Sequence, residues 1–165
     1  MSLTPQQTWL NGGIGQIELG PDEDNATFDE PSLLALRNGF EALAADPGVE
    51  RIVLCGRRER FVSGVDVSFF IQSLTTGQVD RIISFTYSAH SILNIIARCP
   101  KPVVAWIDGP AFGAGLELAL ACHRIVAGPK ARFCLPETGL GIYPGMGGTQ
   151  RLPRKIGVGL AKWMI

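Results

Sequence analysis

The chain has 165 residues, of which 46% are hydrophobic, and this is enough for a single domain with its own core. Fifteen basic and fifteen acidic side chains give no net charge. The composition therefore gives no reason to expect a nucleic acid, an anionic membrane or a strongly charged macromolecule as partner, and a small molecule fits better.

Hydrophobic periodicity and turn residues predict strands that alternate with helices along the chain. A helix is predicted from Ser32, its expected N-cap, until Asp46-Pro47-Gly48 ends the apolar pattern. The predicted strands are 14–19, 51–56, 102–107, 123–127 and 132–135, and the predicted helices are 32–46, 79–97, 114–122, 150–156 and 158 onward. This order predicts an α/β domain whose parallel strands are joined by helical crossovers.

The four cysteines, Cys55, Cys99, Cys122 and Cys134, lie in apolar or strand-like surroundings without the spacing of metal ligands. The opening residues lack the basic and apolar regions of a targeting segment, and no apolar stretch reaches membrane-spanning length. We therefore expect a soluble, cytoplasmic protein with reduced thiols and no metal site.

One carboxylate lies within a predicted helix that is otherwise apolar. From Ala114 to Cys122, Glu117 is the only polar side chain apart from a thiol, so this helix should be buried on all sides. An unpaired buried carboxylate costs on the order of several kcal/mol or shifts its pKa. Glu117 is therefore a candidate catalytic residue. The alternative is that Glu117 is held by the free N–H groups of its own first helical turn.

A second isolated acid, Glu137, follows twenty residues later, in a glycine-rich loop that carries no other charge up to Gly148. Two acids in apolar settings indicate a pair for acid and base chemistry. The alternative for Glu137 is a solvated loop carboxylate.

Two glycine turns could place hydrogen-bond donors beside these acids. Ser63-Gly64-Val65 and Gly113-Ala114-Gly115 each precede a predicted helix start, where backbone N–H groups are free. Two such donors and two carboxylates are suited to stabilising an enolate while protons move. The two histidines, His90 and His123, are interpreted as structural, because no cysteine or acid lies near them at a useful spacing.

Several sequence segments in the same order resemble the crotonase superfamily of enoyl-CoA hydratases and isomerases. They are Phe-Val-Ser-Gly-Val-Asp (61–66), Lys-Pro-Val-Val-Ala (101–105), Asp-Gly-Pro-Ala-Phe-Gly-Ala-Gly-Leu-Glu-Leu-Ala (108–119) and the segment 135–154 that begins Leu-Pro-Glu-Thr-Gly. The last segment is most similar to the hydratase domain of multifunctional fatty-acid oxidation proteins. Asn25-Ala26 and Asp46-Pro47-Gly48-Val49 fit the opening of the family, so the resemblance extends from about Ile14 to the last residue.

The resemblance implies a crotonase-like spiral of ββα repeats and assigns roles by position. The oxyanion-hole N–H groups would be those of Val65 and Ala114, and the catalytic acids would be Glu117 and Glu137. The substrate-binding residues would be Ser63, Gly64, Asp66, Gly113 and Gly145. Coenzyme A would enter as part of an acyl-CoA substrate, with no further cofactor.

Two acids are typical of the hydratases in this family, whereas its isomerases can use one. The resemblance therefore implies syn addition of water to a trans-2-enoyl-CoA, with an isomerase or another acyl-CoA reaction as the alternative. Three positions depart from the family: Ala114 replaces a usual glycine, Asp108 an asparagine and His123 an aspartate. Ala114 would donate through its backbone, so its methyl group should mainly narrow the pocket.

The helices that end the family's domain, cover the active site and build trimers have no counterpart in this sequence. We therefore expect residues 1–165 to form one crotonase-like domain that is truncated at its C-terminus, and the family's assembly to be a homotrimer or a hexamer. The apolar segment 157–165 is a predicted contact surface. Arg57, Arg58 and Arg60 could contact coenzyme A phosphates or could form a solvated surface run.

Other functions explain the sequence less well. Leu-Pro-Glu-Thr-Gly (135–139) matches a cell-wall sorting signal but lacks the apolar anchor and basic tail that follow such a signal. The glycines after residue 108 have the wrong spacing for a dinucleotide fold. A serine peptidase would use Ser63 with His90 or His123, yet no Gly-x-Ser-x-Gly is present and both glutamates would be unexplained. A non-catalytic assembly module stays as the alternative from another class.

Overall fold

In a computed structural model of this chain, the described residues are 5–10, 12–20, 27–57 and 60–165. The strands are β1 Gln6–Leu10, β2 Ile14–Leu19, β3 Arg51–Gly56, β4 Val103–Ile107, β5 Pro110–Phe112, β6 Arg124–Ala127 and β7 Arg132–Cys134. The helices are α1 Glu30–Ala45, α2 Val67–Thr75, α3 Val79–Ala97, α4 Ala114–Ala121, α5 Gly148–Ile156 and α6 Val158–Met164, with a 3-10 helix at Pro136–Leu140.

Five strands form one sheet in the order β1-β2-β3-β4-β6. The strands β2, β3, β4 and β6 are parallel, as the alternation of strands and helices predicts, and β1 adds to the edge as an antiparallel hairpin with β2. The short strands β5 and β7 pair in parallel in a second sheet. The expected mixed α/β class with a parallel sheet is therefore confirmed.

One face of the large sheet is buried against α1 and α3. Alternate residues of β2 to β4, such as Ile17, Leu54 and Ala105, have no exposed surface, which is the period-two pattern of strands with one covered face. Trp106 lies on the opposite face and is 58% exposed. The main core thus lies between the sheet and the helices.

A second, smaller group of buried side chains lies between α4, α5 and α6. This carboxyl-terminal cluster consists of Leu116, Leu120, Leu135, Leu152 and Ala161. It packs the last two helices against one side of α4, whose eight residues are all buried. The prediction of a helix without a solvent face is confirmed.

The predicted start of α1 is wrong by a few residues. Asp29 is the N-cap, because its side chain accepts a hydrogen bond from Ser32 N–H at 2.9 Å. Ser32 returns the contact, since its hydroxyl accepts from Asp29 N–H at 2.8 Å. The two residues form a capping box in which Ser32 is the third helical residue instead of the cap.

Two of the three residues that depart from the family pattern, Asp108 and His123, have local structural roles. Asp108 Oδ1 accepts from Lys130 N–H at 3.0 Å and so fixes the turn before β7. His123 Nδ1 accepts from Val103 N–H at 3.0 Å, and its Nε2 lies 3.3 Å from Ala97 O. These contacts support the interpretation of His123 as a structural residue.

The four cysteines are free thiols. Burial raises the pKa of Cys55 to about 11 and that of Cys122 to about 12, which makes both poor nucleophiles. Within the described ranges, no three potential ligands among His, Cys, Asp and Glu come together as a metal site would require. None of the helices described is both long and apolar enough to span a membrane.

Candidate active site

The two glycine turns that the sequence places far apart are neighbours in the fold. Phe61 N–H donates to Pro110 O at 3.2 Å, and Phe112 N–H donates to Val62 O at 3.0 Å, so β5 runs beside the segment that leads to the first turn. A methyl group at Gly113 would lie 3.7 Å from Gly64 Cα. The predicted oxyanion turns therefore lie side by side.

Gly113 brings Glu137 to these turns. Its φ of 51° is in the left-handed region that favours glycine, and it caps the start of α4. Gly113 N–H donates to Cys134 O at 2.9 Å, which positions the chain just before Glu137. A methyl group at Gly113 would come within 3.0 Å of Glu137 Oε1, so the carboxylate lies directly against the turn.

The N–H groups of Val65 and Ala114 belong to the two neighbouring turns. Val65 pairs with Phe28 in an isolated parallel bridge, in which Phe28 N–H donates to Gly64 O at 2.8 Å and Asp66 N–H to Phe28 O at 3.0 Å. Among the hydrogen bonds of the described residues, neither Val65 N–H nor Ala114 N–H donates to a protein acceptor. Both are thus available to a ligand oxygen, as their predicted role requires.

Glu117 is 1% exposed and is held by the backbone of a distant segment. Its Oε1 accepts from Met146 N–H at 2.8 Å and from Gly148 N–H at 2.7 Å. Gly148 is the first residue of α5, so the positive end of that helix faces the carboxylate. The alternative in which the N–H groups of its own helix α4 hold Glu117 is therefore wrong.

Both carboxyl groups are biased toward the protonated form. Burial raises the pKa of Glu117 to about 7; nearby Glu137 adds to the rise, while the two N–H groups and Arg151 oppose it. Burial also raises the pKa of Glu137, whose buried Oε2 has no hydrogen-bond partner among the described residues.

The remaining predicted site residues are placed around this centre to different degrees. Gly64 is buried beside Gly113, and Gly145 lies next to the donor Met146. Ser63 is exposed. The Asp66 side chain accepts from Ser68 N–H at 2.9 Å and caps α2, so it has a structural partner.

Three residues of the site were missed in the sequence: Met146, Gly148 and Arg151. The first two act through backbone N–H groups, which every residue but proline has. The glycine-rich run that precedes the helical segment was the available signal for such donors. Arg151 lies within α5, and nothing in its local sequence distinguishes it from a surface arginine.

The arginines that were predicted to contact coenzyme A phosphates have different surroundings in the structure. Arg57 forms an ion pair with Glu18 and donates to Gln6 Oε1 at 2.6 Å. Arg60 is exposed and borders a cleft of about 340 Å³ together with Trp106. Arg58 lies outside the described residues.

A larger cleft of about 530 Å³ lies between α1 and α3, and Phe40, Ile95 and Cys99 contribute to its lining. Neither Glu117 nor Glu137 is among the residues that line these two clefts. We therefore locate the candidate active site at Glu117 and Glu137 and not in the larger clefts. Acids with a shifted pKa beside backbone N–H donors are typical of catalytic sites.

Comparison with known proteins gives consistent matches. The family model described as Enoyl-CoA hydratase/isomerase matches residues 10–165. The peroxisomal fatty acid beta-oxidation multifunctional protein AIM1 of Arabidopsis thaliana is 41% identical over 155 residues, which are 94% of this chain and 21% of that protein. Crotonyl-CoA hydratase of Syntrophomonas wolfei is 38% identical over 139 residues, which are 84% of this chain and 52% of that enzyme.

Solved structures agree with these relatives. The crystal structure of enoyl-CoA hydratase from Bacillus anthracis superposes with a TM-score of 0.88 at 30% identity, over 98% of this chain and 62% of that one. DspI from Pseudomonas aeruginosa gives a TM-score of 0.86 at 32% identity, over 99% and 64%. The chain thus spans between about a fifth and two thirds of the length of these four proteins. It has the crotonase fold and belongs to the enoyl-CoA hydratase/isomerase family.

Proposed function

We propose that this chain provides the hydratase site of an enoyl-CoA hydratase, which adds water syn across the double bond of a trans-2-enoyl-CoA thioester. The observation that carries the proposal is that two carboxyl groups with raised pKa come together here: Glu137 lies against the turn at Gly113, and its charge acts on Glu117, which is buried in the helix that begins at Ala114. The relative named crotonyl-CoA hydratase supports the same reaction.

In this proposal the thioester carbonyl oxygen accepts hydrogen bonds from Val65 and Ala114. These N–H groups stabilise the enolate of the transition state more than the ground-state carbonyl, by roughly 3 to 4 kcal/mol per donor in comparable sites. Among the described residues, neither donor has a protein acceptor that it would have to give up to the substrate.

Glu117 acts as the base. Its Oε1 is occupied by two N–H groups, which leaves Oε2 to orient the attacking water and take its proton. The water oxygen forms a bond to C3, and the electron pair of the double bond moves to the enolate. A pKa of about 7 suits this role, because a general base works best near the operating pH.

Glu137 acts as the acid that delivers a proton to C2. Burial raises its pKa and so keeps a larger share of it protonated than in water. After the addition, Glu117 holds the proton from water and Glu137 is ionised, and transfer of one proton between them resets the pair. The enzyme needs no cofactor beyond the coenzyme A of its substrate in this scheme.

Two alternatives use the same observations differently. An enoyl-CoA isomerase would move a proton between carbons of the acyl chain with one of the two acids, and the family includes both reactions. A non-catalytic assembly module would retain the fold and bind acyl-CoA without turnover. The predicted cytoplasmic location stays a prediction, because the Arabidopsis relative is named peroxisomal.

Hydration of crotonyl-CoA by the parent chain, Glu117→Gln and Glu137→Gln tests the proposal. Each variant should lower kcat by about 100-fold or more, because it removes a proton donor or acceptor while keeping the shape of the side chain. Glu41→Gln on the exposed face of α1 is the matched control and should retain the parent rate.

Rates of both site variants within tenfold of the parent would contradict the acid–base assignment. A 3-enoyl-CoA that is isomerised faster than crotonyl-CoA is hydrated would favour the isomerase. Binding of acyl-CoA without any turnover would favour the assembly module.

A further inference from the structure

The segment 146–148 connects two charged side chains through its backbone. Glu117 accepts from the N–H groups of Met146 and Gly148. The carbonyl oxygen of the same Met146 accepts from Arg151 Nη1 at 2.9 Å. Both backbone polar groups of Met146 are therefore fixed by charged partners, and charge-assisted hydrogen bonds are stronger than neutral ones.

Arg151 also ties this segment to the main body of the fold. Its Nη2 donates to Asn94 Oδ1 at 3.0 Å, and Asn94 belongs to the long helix α3. A methyl group at Gly147 would lie only 2.4 Å from Arg151 Nη1, so the guanidinium packs directly on the loop backbone. The planar guanidinium of Arg151 thus links segment 146–148 to α3 through two N–H donors whose relative positions are fixed.

The charges around Glu117 come from several elements. Glu137, which follows β7, raises the pKa of Glu117, whereas Arg151 on α5 lowers it. Burial lowers the pKa of Arg151, and Glu117 raises it in return. The ring of His90 on α3 lies near the same loop, 3.9 Å from the position of a methyl group at Gly147. Arg151 therefore acts on Glu117 in two ways: its charge lowers the pKa of Glu117, and its side chain contacts segment 146–148, the donor segment, directly.

We propose that Arg151 is a positioning residue for Glu117. Its guanidinium holds the carbonyl of Met146 and, through Asn94, anchors the donor segment to α3, so that both N–H groups stay directed at Oε1. The orientation of Glu117 follows from this arrangement whatever reaction the site performs. Only the effect on the rate of hydration rests on the proposed function.

Arg151→Met tests this role, because it removes the charge and the fork but keeps an apolar stem. The first readout is the pH titration of the Glu117 carboxyl carbon by NMR with labelled glutamate, assigned by its loss in Glu117→Gln. The titration midpoint should move up by about half a pH unit or more in Arg151→Met, since a nearby cation favours the ionised form.

The second readout is the pH profile of crotonyl-CoA hydration. In Arg151→Met we expect kcat to fall about tenfold or more with KM nearly unchanged, and the acid limb of the profile to move to higher pH. Arg151→Lys keeps the charge without the fork, so it should restore most of the titration midpoint but only part of kcat. Arg154→Met, on the exposed side of the same helix, should match the parent in both readouts.

A folded Arg151→Met with the parent's titration midpoint would overturn the proposal, as would a rate loss equalled by Arg154→Met. If circular dichroism shows that Arg151→Met is unfolded, the exposed Asn94→Ala takes its place. It should shift the midpoint in the same direction by a smaller amount, and an unchanged midpoint would again overturn the role. If the parent chain hydrates no substrate, the proposed function fails, while the carboxyl titration still decides the role of Arg151.

Discussion

Glu117 accepts two backbone hydrogen bonds on one oxygen while 1% of its surface remains exposed. The hydrogen bonds favour its ionised form and burial opposes it, and the rise of its pKa to about 7 shows that burial is the stronger effect. Because the unfolded chain would titrate near the ordinary value of 4.5, the folded state binds the proton more tightly. Its stability therefore falls as the pH rises from about 4.5 to about 7, and the full cost is present above pH 7.

Replacing Glu117 by glutamine should consequently increase stability while it removes activity. The amide oxygen can keep both N–H contacts, and no charge is left to bury. At pH 8.5 the free energy of unfolding should rise by up to about 3 kcal/mol over the parent, and the gain should shrink toward pH 4.5. Urea unfolding at several pH values measures this difference, with Glu41→Gln as the exposed control. A pH-independent difference would show that Glu117 is already neutral or well solvated.

At the scale of elements, the capping box of α1 stands next to one of the proposed donors. Asp29 caps the helix, and the preceding Phe28 pairs with Val65. Asp29→Ala should lower the free energy of unfolding by about 1 kcal/mol, and Asp29→Asn by less, because asparagine is also a good N-cap. Thermal or urea unfolding measures both. Equal losses in the two variants would show that α1 requires the negative charge of Asp29 and not only its hydrogen bond with Ser32 N–H.

The long periodic elements were predictable from the sequence, whereas the short ones were not. Helix α3 begins and ends at the predicted residues 79 and 97, because its apolar face repeats over five turns. Strand β1 was missed because all five of its side chains are exposed and show no alternation. Strand β5 has three residues and lies in the segment interpreted as a glycine turn. For α2 the sequence predicted a helix start after the turn Ser63-Gly64-Val65 but not the extent of the helix.

The acids of the site could be predicted, but their environment could not. Glu117 and Glu137 are isolated charges in apolar sequence, so burial could be inferred from their neighbours along the chain. The donors of Met146 and Gly148 are backbone groups brought in by tertiary structure from about thirty residues away. The contact of Arg151 with α3 likewise depends on how α5 packs and not on local sequence.

At the scale of the whole molecule, apolar side chains are exposed around the end of the chain and the loop after Glu137. They are Leu140, Ile142, Tyr143, Val158, Leu160 and Trp163. The chain on both sides of Glu137 contacts the end of α6, because Leu135 N–H donates to Met164 O at 3.4 Å and the Thr138 hydroxyl donates to Ile165 O. Exposed apolar side chains grouped in this way are typical of sites of contact with another protein.

We predict that the 165-residue chain associates through this surface or binds acyl-CoA poorly, and the family resemblance favours a trimer or hexamer for the proposed assembly. Sedimentation velocity should show association that increases with protein concentration. The double variant Leu160→Glu and Trp163→Glu should weaken it, whereas Trp106→Glu on the open sheet face should not. A stable monomer with full hydratase activity would refute both branches of the prediction.

The carboxyl-terminal cluster has one further consequence for Glu117. Its buried part consists of five side chains, so we expect α5 and α6 to open at a lower free energy than the main core unfolds. Such an opening would withdraw the N–H groups of Met146 and Gly148 while the sheet stays packed. Opening would also admit water to the buried carboxyl group. Because the pKa of Glu117 is raised to about 7 in the closed state, protonation favours closure of the two helices and loss of the proton favours their opening. Opening and closing of α5 and α6 are therefore expected to be coupled to the protonation state of Glu117, the proposed base.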